Sequence, residues 1–338
     1  MKAQIMIDAP LSSDISNEDL KQQWEGFRAI EGWEYGFLTF GPGLPAGEEV
    51  NAMVPRDTDA LFSPWVSKVY LNEAFLDAHP HLRYVAILSH GHANVDYGML
   101  KSRGVTITTT AYGDRAVAEY TFALLLALCH RAERHADYLK DTDWSTPGDK
   151  RYMYVMTPQT ELNGMTFGVL GLGSIGLRTA QIAKGFGMEV IATDLFRKEG
   201  PEYQGIEQVG LEELYSRADV LSVHMQLSEQ TDKMLGREAF ARMKPGVIIL
   251  NTARGGIIDE DALADALDSG RVGGAGLDVL RQEPPVSPAA LRLIAHPNAI
   301  VTGHIAWLSK SSRLRQVALA ISNFRAWLSG KPVSVIGA

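Results

Sequence analysis

TFGVLGLGSIGLRTAQIAKGFGMEVIATD, residues 166–194, decides the fold. The apolar run TFGVL leads into Gly171, Gly173 and Gly176 of GLGSIG, which open a helical stretch, LRTAQIAKGF, before a second apolar run, MEVIATD, closes on Asp194. Strand, glycine turn, helix and strand in that order make a βαβ unit of a parallel sheet. There the first glycine permits a tight turn, the second lets the backbone approach a pyrophosphate, and the third lets helix and strand pack closely. The helix start at Ser174 and Ile175 adds free N–H groups and the positive end of a dipole. Asp194 ends the following strand, where a carboxylate accepts hydrogen bonds from adenosine ribose hydroxyls and repels a 2′-phosphate. A dinucleotide is expected, NAD(H) favoured over NADP(H), with Arg197 and Lys198 close enough in sequence to soften the preference.

The same alternation extends outward in both directions. Downstream, DVLSVHMQ, GVIILNTA, GAGLDVL and NAIVTG read as strands, with LEELYSRA, REAFARM and EDALADALDSG as helices, giving six strands, the count of a full dinucleotide-binding sheet. Upstream, AQIMID, YGFLTF, DALFSPW, RYVAIL and VTITTT alternate with NEDLKQQWEGF, NEAFLDA and VDYGMLKSRG, a second helix-covered parallel sheet. Gly113–Leu139 contains no proline and no glycine after its first residue and reads as one long helix. A final helical stretch at about 308–328 and the tail PVSVIGA are expected to return to the first domain. The fold expected is therefore α/β, with two Rossmann-like doubly wound parallel-sheet domains. A nucleotide domain, 113–305, is inserted into a discontinuous substrate domain, 1–112 and 306–338.

A chain of 338 residues, 46% hydrophobic, suits two cores rather than one. A net charge of −8 leaves no basic face for nucleic acid or anionic lipid. MKAQIMIDAPLSSD reaches polar residues too early for a secretory leader, and FALLLALC is too short to span a bilayer, so the cytoplasm is expected. The single cysteine, Cys129, excludes an intrachain disulfide and reads as a buried, inert thiol.

Three segments after later strands carry the chemistry: NTARGGIIDEDAL (251–263), GAGLDVLRQEPP (274–285) and VTGHIAW (301–307). In an open parallel sheet, reactive groups collect at the carboxyl ends of strands, which is where Arg254, Glu283 and His304 fall. An arginine fork can hold a carboxylate and polarise the carbonyl beside it. A histidine can give a proton to the carbonyl oxygen as hydride reaches carbon, and a glutamate on its other ring nitrogen would fix the tautomer and stabilise the imidazolium.

With GLGSIG, NTARGG, GLDV and HIAW in this order and spacing, the sequence resembles the D-isomer-specific 2-hydroxyacid dehydrogenases over most of its length. The resemblance implies a homodimer acting on a small 2-oxo or D-2-hydroxy acid, with Arg254, Glu283 and His304 as the catalytic trio. Met225, Thr252 and Ala253 are expected to touch the cofactor, while Asp278 lies below the nicotinamide or holds the turn after its strand. SHGHANVD (89–96) matches the loop that receives the substrate carboxylate, which brings in His90 and Gly91, although Ser89 stands where the family has glycine. His90 and His92 lack a carboxylate or cysteine companion, so no metal is expected. Gly303 and Gln226 occupy positions where the family commonly has proline. Trp307 resembles the HIAW pattern of glycerate dehydrogenases and hydroxypyruvate reductases, either walling the pocket or anchoring an aromatic core, and hydroxypyruvate or glyoxylate is the expected substrate. The alternative from another class is an NAD(H)-sensing binding protein or corepressor of the same fold.

Overall fold

Strand pairing is parallel throughout both sheets of the protein, a computed structural model that describes residues 1–7, 14–41, 45–64, 70–89, 95–141, 148, 150 and 153–336. The chain divides into two compact units, Met1–Gly113 with Trp307–Ala338, and Asp114–Ala306.

The first unit runs β1 (Lys2–Ile7), α1 (Asn17–Gln23), β2 (Glu34–Thr39), α2 (Gly47–Met53), β3 (Ala60–Ser63), α3 (Glu73–Ala78), β4 (Tyr84–Ile87), α4 (Tyr97–Ser102) and β5 (Thr106–Thr109). Its sheet order is β2-β1-β3-β4-β5. Ser16, Asn72 and Asp96 start three of the helices, each side chain accepting from the N–H three residues on. α2 was not expected: only Val50 of its seven residues is buried, so it presents no apolar period to read. The helix Lys310–Leu328 packs in this unit and buries Phe324 against Phe27, Phe62 and Tyr84. The tail then lies antiparallel on β5, Thr109 N–H donating to Ser334 O and Ile336 N–H to Ile107 O, which covers that edge.

The second unit begins with α5 (Asp114–His130) and α6 (Ala132–Lys140). This corrects the single helix expected over 113–139. Arg131 turns left-handed at φ 46° between them, and its guanidinium and that of Arg134 both donate to Pro297 O. No proline or glycine marks the break because a tertiary contact makes it. There follow β6 (Thr166–Leu170), α7 (Ser174–Gly185), β7 (Glu189–Thr193), β8 (Glu207–Gln208), α8 (Leu211–Arg217), β9 (Val220–Val223), α9 (Arg237–Arg242), β10 (Val247–Asn251), α10 (Glu260–Asp268), β11 (Val272–Leu277), α11 (Pro288–Ala295) and β12 (Ala299–Val301). The order β12-β11-β10-β9-β6-β7-β8 makes a doubly wound sheet that reverses direction at β6. Among the described residues it has seven strands rather than six, because the two residues of β8 pair with β7 while being too few to show an alternation. β6 and β9 are buried along their whole length and β10 nearly so, which is why they read as continuous apolar runs.

Candidate active site

The segments singled out from sequence in the second unit all follow the carboxyl ends of neighbouring strands. Gly171 follows β6, Asp194 β7, His224 β9, Thr252 β10, Asp278 β11 and Thr302 β12. Backbone bonds carry the ladder past the strand ends, from Gly171 N–H to Thr193 O, His224 N–H to Leu170 O, Asp278 N–H to Asn251 O and Thr302 N–H to Leu277 O. The loops are therefore held by the sheet itself.

At the point of reversal the glycine loop fits a dinucleotide. Gly171 stands at φ +99°, and a Cβ there would meet the backbone of His224 and Met225 at 2.8 Å. A Cβ on Gly176 would meet Gly171 O at 2.0 Å, so only glycine permits this approach of helix to strand. At Gly173, by contrast, a Cβ would meet nothing within 4 Å: this is open space in front of the first N–H groups of α7, those of Ser174, Ile175 and Gly176, which lack helical partners. Asp194 bends back toward the loop, its Oδ2 accepting from Leu172 N–H at 2.7 Å, while Lys198 Nζ lies 3.7 Å from Oδ1.

Arg254, Glu283 and His304 line one cavity of about 200 Å³ together with Leu227, Val279 and Leu280. Asn251, fully buried at the end of β10, brackets the turn that presents Arg254: its Oδ1 accepts from Ala253 N–H and its Nδ2 donates to Arg254 O. Thr252 ties the same turn to α5, its hydroxyl 2.9 Å from that of Thr121. The Arg254 guanidinium donates to Ala253 O and makes no ion pair among the described residues. Burial pulls its pKa down and the charge of Glu283 opposes that, and a guanidinium remains a cation throughout.

His304 donates from Nδ1 to Glu283 Oε2 at 2.8 Å, and Leu280 N–H donates to the other carboxylate oxygen at 3.1 Å. Burial pushes the Glu283 carboxyl up, but the His304 hydrogen bond and charge, the Leu280 N–H and the Arg254 charge outweigh it, and its pKa lies below the ordinary value. His304 has a left-handed backbone, φ 59°. Asp278 holds it there. Its carbonyl accepts from His304 N–H at 2.7 Å, and its carboxylate accepts from the Thr302 hydroxyl, Ile305 N–H and Ala306 N–H at 2.6, 2.9 and 2.8 Å. These contacts hold the turn after β11, one of the two roles open to Asp278.

Other expected positions fall differently. Trp307 belongs to the first unit, its ring edge-on to Tyr112 at 6.3 Å. His90, Gly91 and His92 lie outside the described residues; Ser89, just before them, accepts from the Thr109 hydroxyl. Gln226 uses its carbonyl to accept from Thr231, a bond proline could also make, and a Cβ at Gly303 would meet nothing within 4 Å. His224 was not singled out. Burial pushes its imidazole down to about 3, so it stays neutral behind the glycine loop, with Nε2 2.8 Å from the Ser222 hydroxyl. Cys129 is buried and its thiol pushed up to about 11, which leaves it inert at neutral pH.

Residues 122–306 match the family model of the D-isomer specific 2-hydroxyacid dehydrogenase NAD binding domain. The chain belongs to the D-isomer-specific 2-hydroxyacid dehydrogenases. It is 35% identical over 290 residues to a hydroxypyruvate reductase of Blautia hydrogenotrophica, covering 86% of this chain and 88% of that one. It is 34% identical over 274 residues to a glycerate dehydrogenase of Methylorubrum extorquens, covering 81% and 84% respectively. A solved structure of a protein from Thermus thermophilus superimposes with a TM-score of 0.80 at 32% identity, over 99% of this chain and all of that one. The protein is thus an enzyme of the D-2-hydroxyacid dehydrogenase type with a nicotinamide-dinucleotide domain. No helix among the described residues is long and apolar enough to cross a membrane.

Proposed function

We propose that this dehydrogenase interconverts hydroxypyruvate or glyoxylate and the corresponding 2-hydroxy acid, of D configuration where it is chiral, with NAD(H), using His304 as acid and base. The observation that carries the reading is the His304–Glu283 hydrogen bond opening on the same cavity as an arginine without an ion-pair partner among the described residues. Gly171–Gly176 would hold the pyrophosphate of a nicotinamide dinucleotide, which would supply or take up the hydride. Arg254 holds the substrate carboxylate and orients the carbonyl. His304 gives the proton on Nε2 to the carbonyl oxygen, or takes the hydroxyl proton in the reverse direction. Glu283 accepts from Nδ1–H, fixing the ring and stabilising the charge it carries. Asp194 favours NAD(H) by repelling a 2′-phosphate, with Lys198 reducing the margin.

Substrate choice is supported by the names of the relatives and by the HIAW segment ending in Trp307. In this reading His90 and Gly91 complete the carboxylate site, and Met225, Thr252 and Ala253 flank the cofactor. A homodimer is part of the same reading, supported by the exposed run Met153–Met156 and exposed Leu139 in the second unit, as is a cytoplasmic location, supported by a single, buried cysteine. NADH consumption with a panel of 2-oxo acids tests it. Hydroxypyruvate or glyoxylate should be turned over with the highest kcat/KM, and a clear preference for a bulky 2-oxo acid contradicts the substrate class.

A further inference from the structure

The loop that carries Glu283 is pinned at both ends by one side chain with no part in the chemistry described so far. Glu260, nine-tenths buried at the first turn of α10, accepts from Arg281 N–H through Oε1 at 2.7 Å and from the Ser287 hydroxyl through Oε2 at 3.1 Å. Ser287 is the cap of α11, its oxygen also accepting from Ala290 N–H. The segment from Arg281 to Ser287 therefore runs between two fixed points, and Glu283 lies between them. The Arg281 side chain reinforces the first point, bidentate on Asp232 and reaching Gly256 O.

We propose that Glu260 is a positioning residue for the reaction: by spanning the ends of the 281–287 loop it sets where the Glu283 carboxylate meets His304 Nδ1. This rests on the reading of the site given above. A surface carboxylate on a helix would contribute only to the helix dipole, whereas this one is buried and spends both oxygens on the loop and none on α10. Because a hydrogen-bonded support of a reacting group acts through geometry, loss of Glu260 should slow turnover without weakening cofactor binding. Glutamine can reproduce both contacts, its carbonyl accepting from Arg281 N–H and its amide donating to Ser287 Oγ.

The test is a double-mutant cycle with Glu260→Ala and Glu283→Ala, plus Glu260→Gln as the conservative variant. Glu260→Ala should lower kcat at least tenfold with KM for NADH within threefold, and Glu260→Gln should recover activity to within threefold of the parent. In the Glu283→Ala background, Glu260→Ala should change kcat by less than twofold, because its effect passes through Glu283. Hydrogen–deuterium exchange on the protein without cofactor should show the 281–287 segment exchanging at least tenfold faster in Glu260→Ala. Should that variant fail to fold, Ser287→Ala frees one anchor only and should show a smaller loss with the same non-additivity. Full activity of Glu260→Ala, or a loss that simply adds to that of Glu283→Ala, overturns the proposal. If Glu283→Ala is itself fully active, the reading of the site fails first and the role of Glu260 with it.

Discussion

His304 donates to Glu283 across 2.8 Å from a backbone held left-handed at φ 59°, a conformation that costs a non-glycine residue on the order of 1 kcal/mol or more. The structure that over-determines it is Asp278, which receives the N–H of His304 on its carbonyl and those of Ile305 and Ala306 on its carboxylate. Strain at His304 and three acceptors at Asp278 belong to one device that aims the imidazole.

Asparagine at 278 cannot replace that device, because one carbonyl oxygen cannot accept from three donors and an amide turns N–H toward N–H. Asp278→Asn should lower the unfolding free energy by about 1–3 kcal/mol, the cost of a buried donor without a partner, and reduce kcat with NADH affinity within about threefold. Urea unfolding and NADH fluorescence titration measure the two. Intact stability with a large loss of NADH affinity would instead make Asp278 a cofactor ligand.

Glu283 sets the acid side of the reductive pH profile. Its folded pKa lies below the ordinary 4.5, so its support is fully present above that value and is lost as pH falls through the lowered one. The kcat for 2-oxo acid reduction should therefore hold from about pH 7 down to about pH 5, and Glu283→Gln should remove at least about tenfold of it across that range. A loss centred above about pH 5.5 while the protein stays folded would show that another group governs the step.

Asp194 touches the glycine loop through one oxygen and faces Lys198 with the other. Asp194→Asn keeps an acceptor for Leu172 N–H and removes the charge, so the ratio of kcat/KM for NADPH to that for NADH should rise roughly tenfold, equivalent to about 1.4 kcal/mol. Lys198→Ala should move the same ratio the other way. An unchanged ratio in both variants would place the discrimination elsewhere.

The doubly wound sheet of the second unit was legible because buried parallel strands are continuous apolar runs and the glycine loop fixes where sheet and helix meet. β8 and α2 were not, since two strand residues or one buried helical valine carry no period. The break at Arg131 depends on a carbonyl, Pro297 O, 166 residues away. At the site, Arg254, Glu283 and His304 could be read from residue type and strand ends. Asn251 offered a signal too, an amide at a strand terminus before a turn, of the kind that bonds its own backbone. Glu260 offered none, because α10 reads as an ordinary acidic first turn until the fold brings Arg281 and Ser287 onto it. His224 likewise reads as any strand-end histidine, and the desolvation that keeps its imidazole neutral arises only in the folded chain.

The central claim is that His304 moves the proton. Steady-state reduction of hydroxypyruvate by His304→Gln, followed as NADH absorbance and paired with NADH binding by fluorescence, tests it most directly. Turnover should fall about a hundredfold or more, with the dissociation constant for NADH within about threefold of the parent. Turnover equal to the parent's would remove His304 from the mechanism.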